Sequence, residues 1–131
     1  MLKKTFLALF ATAVFATSNA YAACVNFNLN RSGANVYPQS DAVVYGPYNT
    51  SCAATQTFRL QDLSSRYVTN NIKHIFERLD GSTWTVISST TSYGGASLSF
   101  YAPTPGTYRY RIENVGTTTV ANWTATGRVT I

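Results

Sequence analysis

Side chains that alternate apolar and polar residue by residue can share one buried face only in an extended strand. The segment NWTATGRVTI, residues 122–131, holds that period: Trp123, Ala125, Val129 and Ile131, with Gly127 among them, fall on one side. Asn122, Thr124, Thr126, Arg128 and Thr130 fall on the other. The same period runs through VNFNLN, where Val25, Phe27 and Leu29 alternate with asparagines, and through TQTFRLQDL, where Phe58 and Leu60 share a face. A turn-rich stretch, RSGANVYPQSD, and a short apolar run, AVVYG, halted at Pro47, lie between these two segments. The pattern predicts an all-β chain, a single antiparallel β-sandwich of about seven or eight strands.

The stretch PTPGTYRYRIEN, residues 103–114, fits that architecture. Proline fixes φ and glycine admits positive φ, so Pro105-Gly106 predicts a sharp redirection between strands. Alternation then sends Tyr108, Tyr110 and Ile112 to one face and Arg109, Arg111 and Glu113 to the other. The tyrosine face is the buried one, since a phenol combines a large apolar body with a hydroxyl able to satisfy a backbone group at a corner.

One segment carries a mixed signal. In NNIKHIFERLDG the residues Ile72, Ile75, Phe76 and Leu79 recur at helical spacing. The following LDGSTWTVIS has a tight-turn pair, Asp80-Gly81, ahead of a β-branched and aromatic run, which favours a hairpin. Residues 70–79 are read as strand, with helix the alternative. The whole stretch IFERLDGSTWTVISSTTSYGGASLSFYAPTPGTYRYRIENVG, residues 75–116, resembles the middle of fibronectin type III and related immunoglobulin-like bacterial domains. Those domains run through a strand, a comparable Gly-Trp hairpin, a Thr/Ser-rich strand, a Pro-Gly turn and a Tyr-bearing strand; PGTY is similar to the register of polycystic-kidney-disease-like domains. The resemblance implies an immunoglobulin-like sandwich.

The first residues read as a leader. MLKK is basic, TFLALFATAVFA is apolar but too short to cross a bilayer, and Ala20 and Ala22 frame Tyr21 as a cleavage signal would. The expected division is a signal peptide over 1–22 and the sandwich over 23–131. No later run is long and apolar enough for a membrane-spanning helix, and a closed barrel would take at least eight strands of about ten residues from what remains. Export delivers Cys24 and Cys52 to an oxidising compartment, where a disulfide is expected. It would close a loop of about 29 residues, worth roughly 3.5 kcal/mol on the chain-entropy model. A lipidated Cys24 is the alternative. Two cysteines and one histidine do not complete a zinc tetrahedron, so no metal and no cofactor is expected.

Setting aside Lys3 and Lys4 leaves eight basic and five acidic residues, a net charge of +3, scattered along the chain. Without a basic cluster nucleic-acid binding is set aside. Catalysis would have to use His74, the single histidine, and neither a nucleophile elbow nor a phosphate loop accompanies it. No catalytic residue is assigned. Two candidate binding surfaces remain. If the last two strands are neighbours, Arg109 and Arg111 lie beside Arg128 on a basic facet; separately, Trp84, Tyr93 and Tyr101 border the Ser/Thr/Gly-rich loop SSTTSYGGAS and suit stacking on sugar rings. The expected role is an exported non-catalytic interaction or structural protein of the periplasm or cell exterior, a surface-assembly subunit or adhesin-like module. It pairs with a protein partner or itself, through a terminal strand at a sheet edge. The alternatives are a soluble glycan-binding module and a small secreted hydrolase.

Overall fold

A computed structural model of the chain describes residues 23–65 and 67–131, so the leader expected over 1–22 lies outside the described residues. Eight strands carry the fold: β1 (Asn26–Val36), β2 (Asp41–Thr50), β3 (Ala54–Asp62), β4 (Asn71–Asp80), β5 (Thr83–Tyr93), β6 (Ala96–Ala102), β7 (Gly106–Asn114) and β8 (Val120–Thr130). They form two antiparallel four-stranded sheets, ordered β1-β8-β3-β6 and β2-β7-β4-β5. This is the sandwich that the alternation predicts. Among the described residues no helix is long and apolar enough to cross a membrane.

The pairing follows one rule: β1 pairs with β8, β2 with β7, β3 with β6 and β4 with β5. The chain is thus a long hairpin about the β4–β5 turn, rolled so that successive pairs alternate between sheets. Two further ladders, β3–β8 and β4–β7, join the pairs. This is the connectivity of an eight-stranded jelly roll built from two Greek keys. The immunoglobulin order sets the first strand beside the second. Here the first lies beside the last, so the resemblance over 75–116 extends to layers and hairpins and not to connectivity.

Residues 71–80 are strand. The β4–β5 hairpin turns at Gly81, whose φ of +64 is open to glycine at little cost, and Asp80 pairs with Thr83. The helical spacing has a simple origin: β4 lies between β7 and β5, and Ile75 and Glu77 on its outward side are covered almost as fully as Phe76 on its inward side. Burial on both faces erases the period of two. The expected loop at SSTTSYGGAS is also strand over most of its length, since β5 runs to Tyr93 and β6 starts at Ala96.

Phe58 and Phe100 from one sheet meet Phe76, Tyr108 and Tyr110 from the other. The Phe76 ring stacks on Phe100 and on Tyr108 with centroids 5.2 Å apart in each case, and Phe58 lies 4.7 Å from Tyr110. The Tyr108 hydroxyl donates to the Thr104 carbonyl at 2.5 Å, the corner role anticipated for a phenol on this strand. Gly106 does not use positive φ. A Cβ there would lie 3.4 Å from Cδ of Arg78, so its small size makes room for that side chain. The expected burial of Val25 and Phe27 is not met: both are about half exposed because β1 is an edge strand, and Leu29 alone of the three enters the core.

Cys24 and Cys52 are bonded, with Cα atoms 5.9 Å apart. The bond ties the start of β1 to the β2–β3 connection. It commits the Cys24 sulfur and leaves none for a thioether-linked lipid.

Candidate functional site

Arg109, Arg111 and Trp84 converge on the outward face of the β2-β7-β4-β5 sheet around Glu77. Register sets Glu77 opposite both Arg109 on β7 and Val86 on β5, while Ile75 sits opposite Arg111 and Leu79 opposite Trp84. Glu77 Oε2 accepts from Arg109 Nε at 2.7 Å, and Arg111 Nε lies 3.1 Å from the same oxygen, off the line of a hydrogen bond. Arg111 also approaches Asp41 at 3.6 Å and Glu113 at 3.8 Å. The Arg109 guanidinium caps the Trp84 ring, 4.1 Å from its centroid, as a cation over an aromatic face. One face of the Trp84 ring is thus occupied by a cation, and both arginines meet carboxylates.

Glu77 is 3% exposed, and its removal would leave Arg109 without a carboxylate beside Arg111, which would keep only Asp41 and Glu113 at 3.6 and 3.8 Å. We expect Glu77→Ala to cost about 2 kcal/mol, below the roughly 3–5 kcal/mol of a fully buried pair because both arginines keep some contact with water. Urea denaturation measures it. A loss under about 0.5 kcal/mol, the range of ordinary surface changes, would mean that the cluster is merely solvated.

Arg128 does not join this facet. It lies on β8, and β7 and β8 belong to opposite sheets, so the conditional grouping with Arg109 and Arg111 fails. The strand that ends the chain is also not an edge: β8 runs between β1 and β3. Tyr93 is highly exposed, at the far end of β5 from Trp84.

His74 is fully buried, with Nδ1 2.7 Å from the Tyr110 hydroxyl and Nε2 2.7 Å from Ser92 Oγ. Ser92 Oγ donates to the Gly94 carbonyl at 3.1 Å. One arrangement satisfies every partner: Tyr110 donates to Nδ1, Nε2–H donates to Ser92, and Ser92 donates onward. Desolvation lowers the His74 pKa to about 4, which keeps the ring neutral, and burial raises that of Tyr110. A serine does meet the histidine, but its proton goes to a carbonyl and no carboxylate contacts the ring. The arrangement is that of a satisfied core network. Among the described residues no group of three or more His, Cys, Asp or Glu side chains is placed to hold a metal ion.

Two features escaped sequence reasoning. The first had a plain signal: from Gly81 to Tyr108 the chain carries no charged residue. That stretch supplies β5 and β6, which are the edges of their two sheets and follow one another through Gly94-Gly95. One flank of the sandwich is thus uncharged along both of its edges. The opposite flank is defended. β1 carries Arg31, while β2 carries Asp41, a cis Gly46-Pro47 bond and two register breaks. The second feature is the outward face of the β1-β8-β3-β6 sheet, whose cations Arg59 and Arg128 come from strands that no local signal brings together.

No family model matches the chain, and no curated protein sequence does. Solved structures do share its fold. The mitogen derived from Yersinia pseudotuberculosis is similar with a TM-score of 0.57 and 15% identity, over 80% of this chain and 87% of that one. A chain from the disulfide-linked pili formed by Bacillus endospore appendages is similar with a TM-score of 0.52 and 21% identity, over 97% of this chain and 99% of that one.

Proposed function

We propose that the chain is an exported, non-catalytic structural subunit of the cell exterior that assembles with copies of itself through the β5–β6 flank. The observation that carries this reading is the uncharged double edge. An unpaired edge strand presents a row of free N–H and C=O groups, and monomeric proteins blunt such edges with lysine, proline or bulges. The β5 edge has one irregularity, between Phe76 and Glu77; beyond it Ser88–Tyr93 pairs without a break to residues 71–76 and carries neither charge nor proline. Such a segment is suited to accept a strand from another copy, with the main chain supplying the affinity. The leader read in the sequence and the disulfide support export, and the end-to-end likeness to a pilus chain supports an assembling role.

Sedimentation velocity over a range of concentrations tests this. The protein purified with its disulfide intact should form larger species as concentration rises. A Ser89→Lys/Thr91→Lys variant places two like charges on the edge and should sediment as a monomer with an unchanged circular dichroism spectrum. A wild-type chain that stays monomeric throughout, or a variant that assembles as the wild type does, would overturn the reading.

A further inference from the structure

The outward face of the β1-β8-β3-β6 sheet presents two cations and no carboxylate. Arg78, Arg109 and Arg111 each meet a carboxylate. Arg59 and Arg128 meet none, and this face carries no acidic side chain: Asp41, Glu77 and Glu113 lie on the other sheet, Asp80 at its hairpin tip. Asp62, at the end of β3, accepts instead from the Ser64 amide and from Asn70.

Register sets the two cations in adjacent cross-strand rows. One row runs Asn28, Arg128, Thr57, Ser99 across the four strands; the next runs Asn30, Thr126, Arg59, Ser97. Each row thus holds one guanidinium among hydroxyl and amide groups. Near the ends of the face polar side chains satisfy each other, Thr130 with Asn26 and Thr124 with Gln61. In the two central rows Thr57, Arg59, Ser97, Ser99, Thr126 and Arg128 make no side-chain hydrogen bond or ion pair with any described residue. Thr57, Arg59, Ser97, Ser99 and Thr126 line an open trough of about 340 Å³.

We propose that this trough binds an acidic polysaccharide, with Arg59 and Arg128 taking its anionic groups and the threonine and serine hydroxyls bonding its sugar hydroxyls. Charge complementarity selects an anion. The repeat of the same donor set in two rows selects a chain of like units over a single small anion, which would be held by convergent backbone N–H groups, and these are occupied in the ladders. Two cations are too few for a nucleic-acid footprint. The central rows offer no apolar anchor of the kind protein interfaces are built on. The trough reaches β6, but the residues varied to test it lie on β3 and β8 and those varied to test self-assembly lie on β5, so the two can fail separately.

Isothermal titration with polygalacturonate, dextran sulfate and neutral dextran tests it, using the disulfide-bonded protein. The carboxylated or the sulfated polymer should bind, more weakly as salt rises, and neutral dextran should not. Arg59→Ser/Arg128→Ser should weaken binding at least tenfold, and Thr57→Val/Thr126→Val several-fold with the charge intact. Arg31→Ser/Lys73→Ser, which removes equal charge elsewhere, should bind as the wild type. Binding of neither anionic polymer, an equal loss in the charge-matched control, or unchanged affinity in the threonine variant would each overturn the proposal. Which anionic polymer binds identifies the group that the arginines recognise.

Discussion

Replacing both Cys24 and Cys52 with serine should lower the unfolding free energy by about 3–4 kcal/mol, on the chain-entropy account of a disulfide. The two cysteines are 28 positions apart, long enough for the open loop to gain substantial freedom in the unfolded chain. The native side of the balance also responds. The bond holds β1 at its first residues, where Val25 and Ile131 exchange backbone hydrogen bonds of 2.8 and 2.9 Å. Around Cys52, the Thr50 hydroxyl accepts from the Cys52 amide at 3.1 Å and donates to the Thr130 carbonyl at 2.8 Å. The variant should therefore keep the fold but fray first at the start of β1, visible as faster amide exchange near Val25 than in β3 or β4. Guanidinium denaturation gives the free energy, and the denaturant slope should rise because the unlinked unfolded chain exposes more surface. A loss below about 1 kcal/mol would mean that the bond is incidental to stability.

The alternation in β3, β7 and β8 was legible because those strands bury one face and wet the other. Phe58 and Leu60, then Tyr108, Tyr110 and Ile112, and Trp123, Ala125 and Val129 all face inward as their spacing requires. Where a second cover intervenes the signal fades. Ile75 lies under the layer that Glu77 organises with two arginines and Trp84, and its burial imitates a helical face. Connectivity was illegible for a different reason. Nothing local in the last strand says that it will lie between β1 and β3, because its partners are fixed by how the long hairpin rolls and not by its own residues. The candidate site depended on that fact. With β7 and β8 on opposite sheets the expected basic facet divides, Arg109 and Arg111 turn to Glu77, and Arg128 finds Arg59. The uncharged flank was written in the sequence, but its meaning appears only when β5 and β6 prove to be edges.

Lowering the pH from 6.5 to 4 should cost the fold about 3 kcal/mol through His74 alone, taking roughly 1.4 kcal/mol for each pH unit between the two pKa values. The unfolded histidine titrates near its ordinary value of 6.5, whereas in the folded chain desolvation lowers it to about 4. Above the first value both states are neutral and pH has no effect through this group. Between the two values the unfolded chain binds a proton that the folded chain refuses, so stability falls as pH falls. Below the second both states are protonated and the loss levels off. The geometry gives the cause: Nδ1 receives the Tyr110 proton and Nε2 already gives its own to Ser92, so a second ring proton would face the tyrosine hydroxyl inside the core. Asp80, whose carboxyl is held below its ordinary range by the hydrogen bond from Arg78, adds its own acid sensitivity, and a His74→Gln variant separates the two. Glutamine can contact both hydroxyls but does not titrate; whatever its stability at pH 7, its free energy should decline less steeply between pH 6.5 and 4 than that of the wild type. Denaturation curves at half-unit intervals measure both slopes. Equal slopes would show that the buried histidine takes up its proton as readily folded as unfolded, and would reverse the reading of His74 as a neutral member of the core.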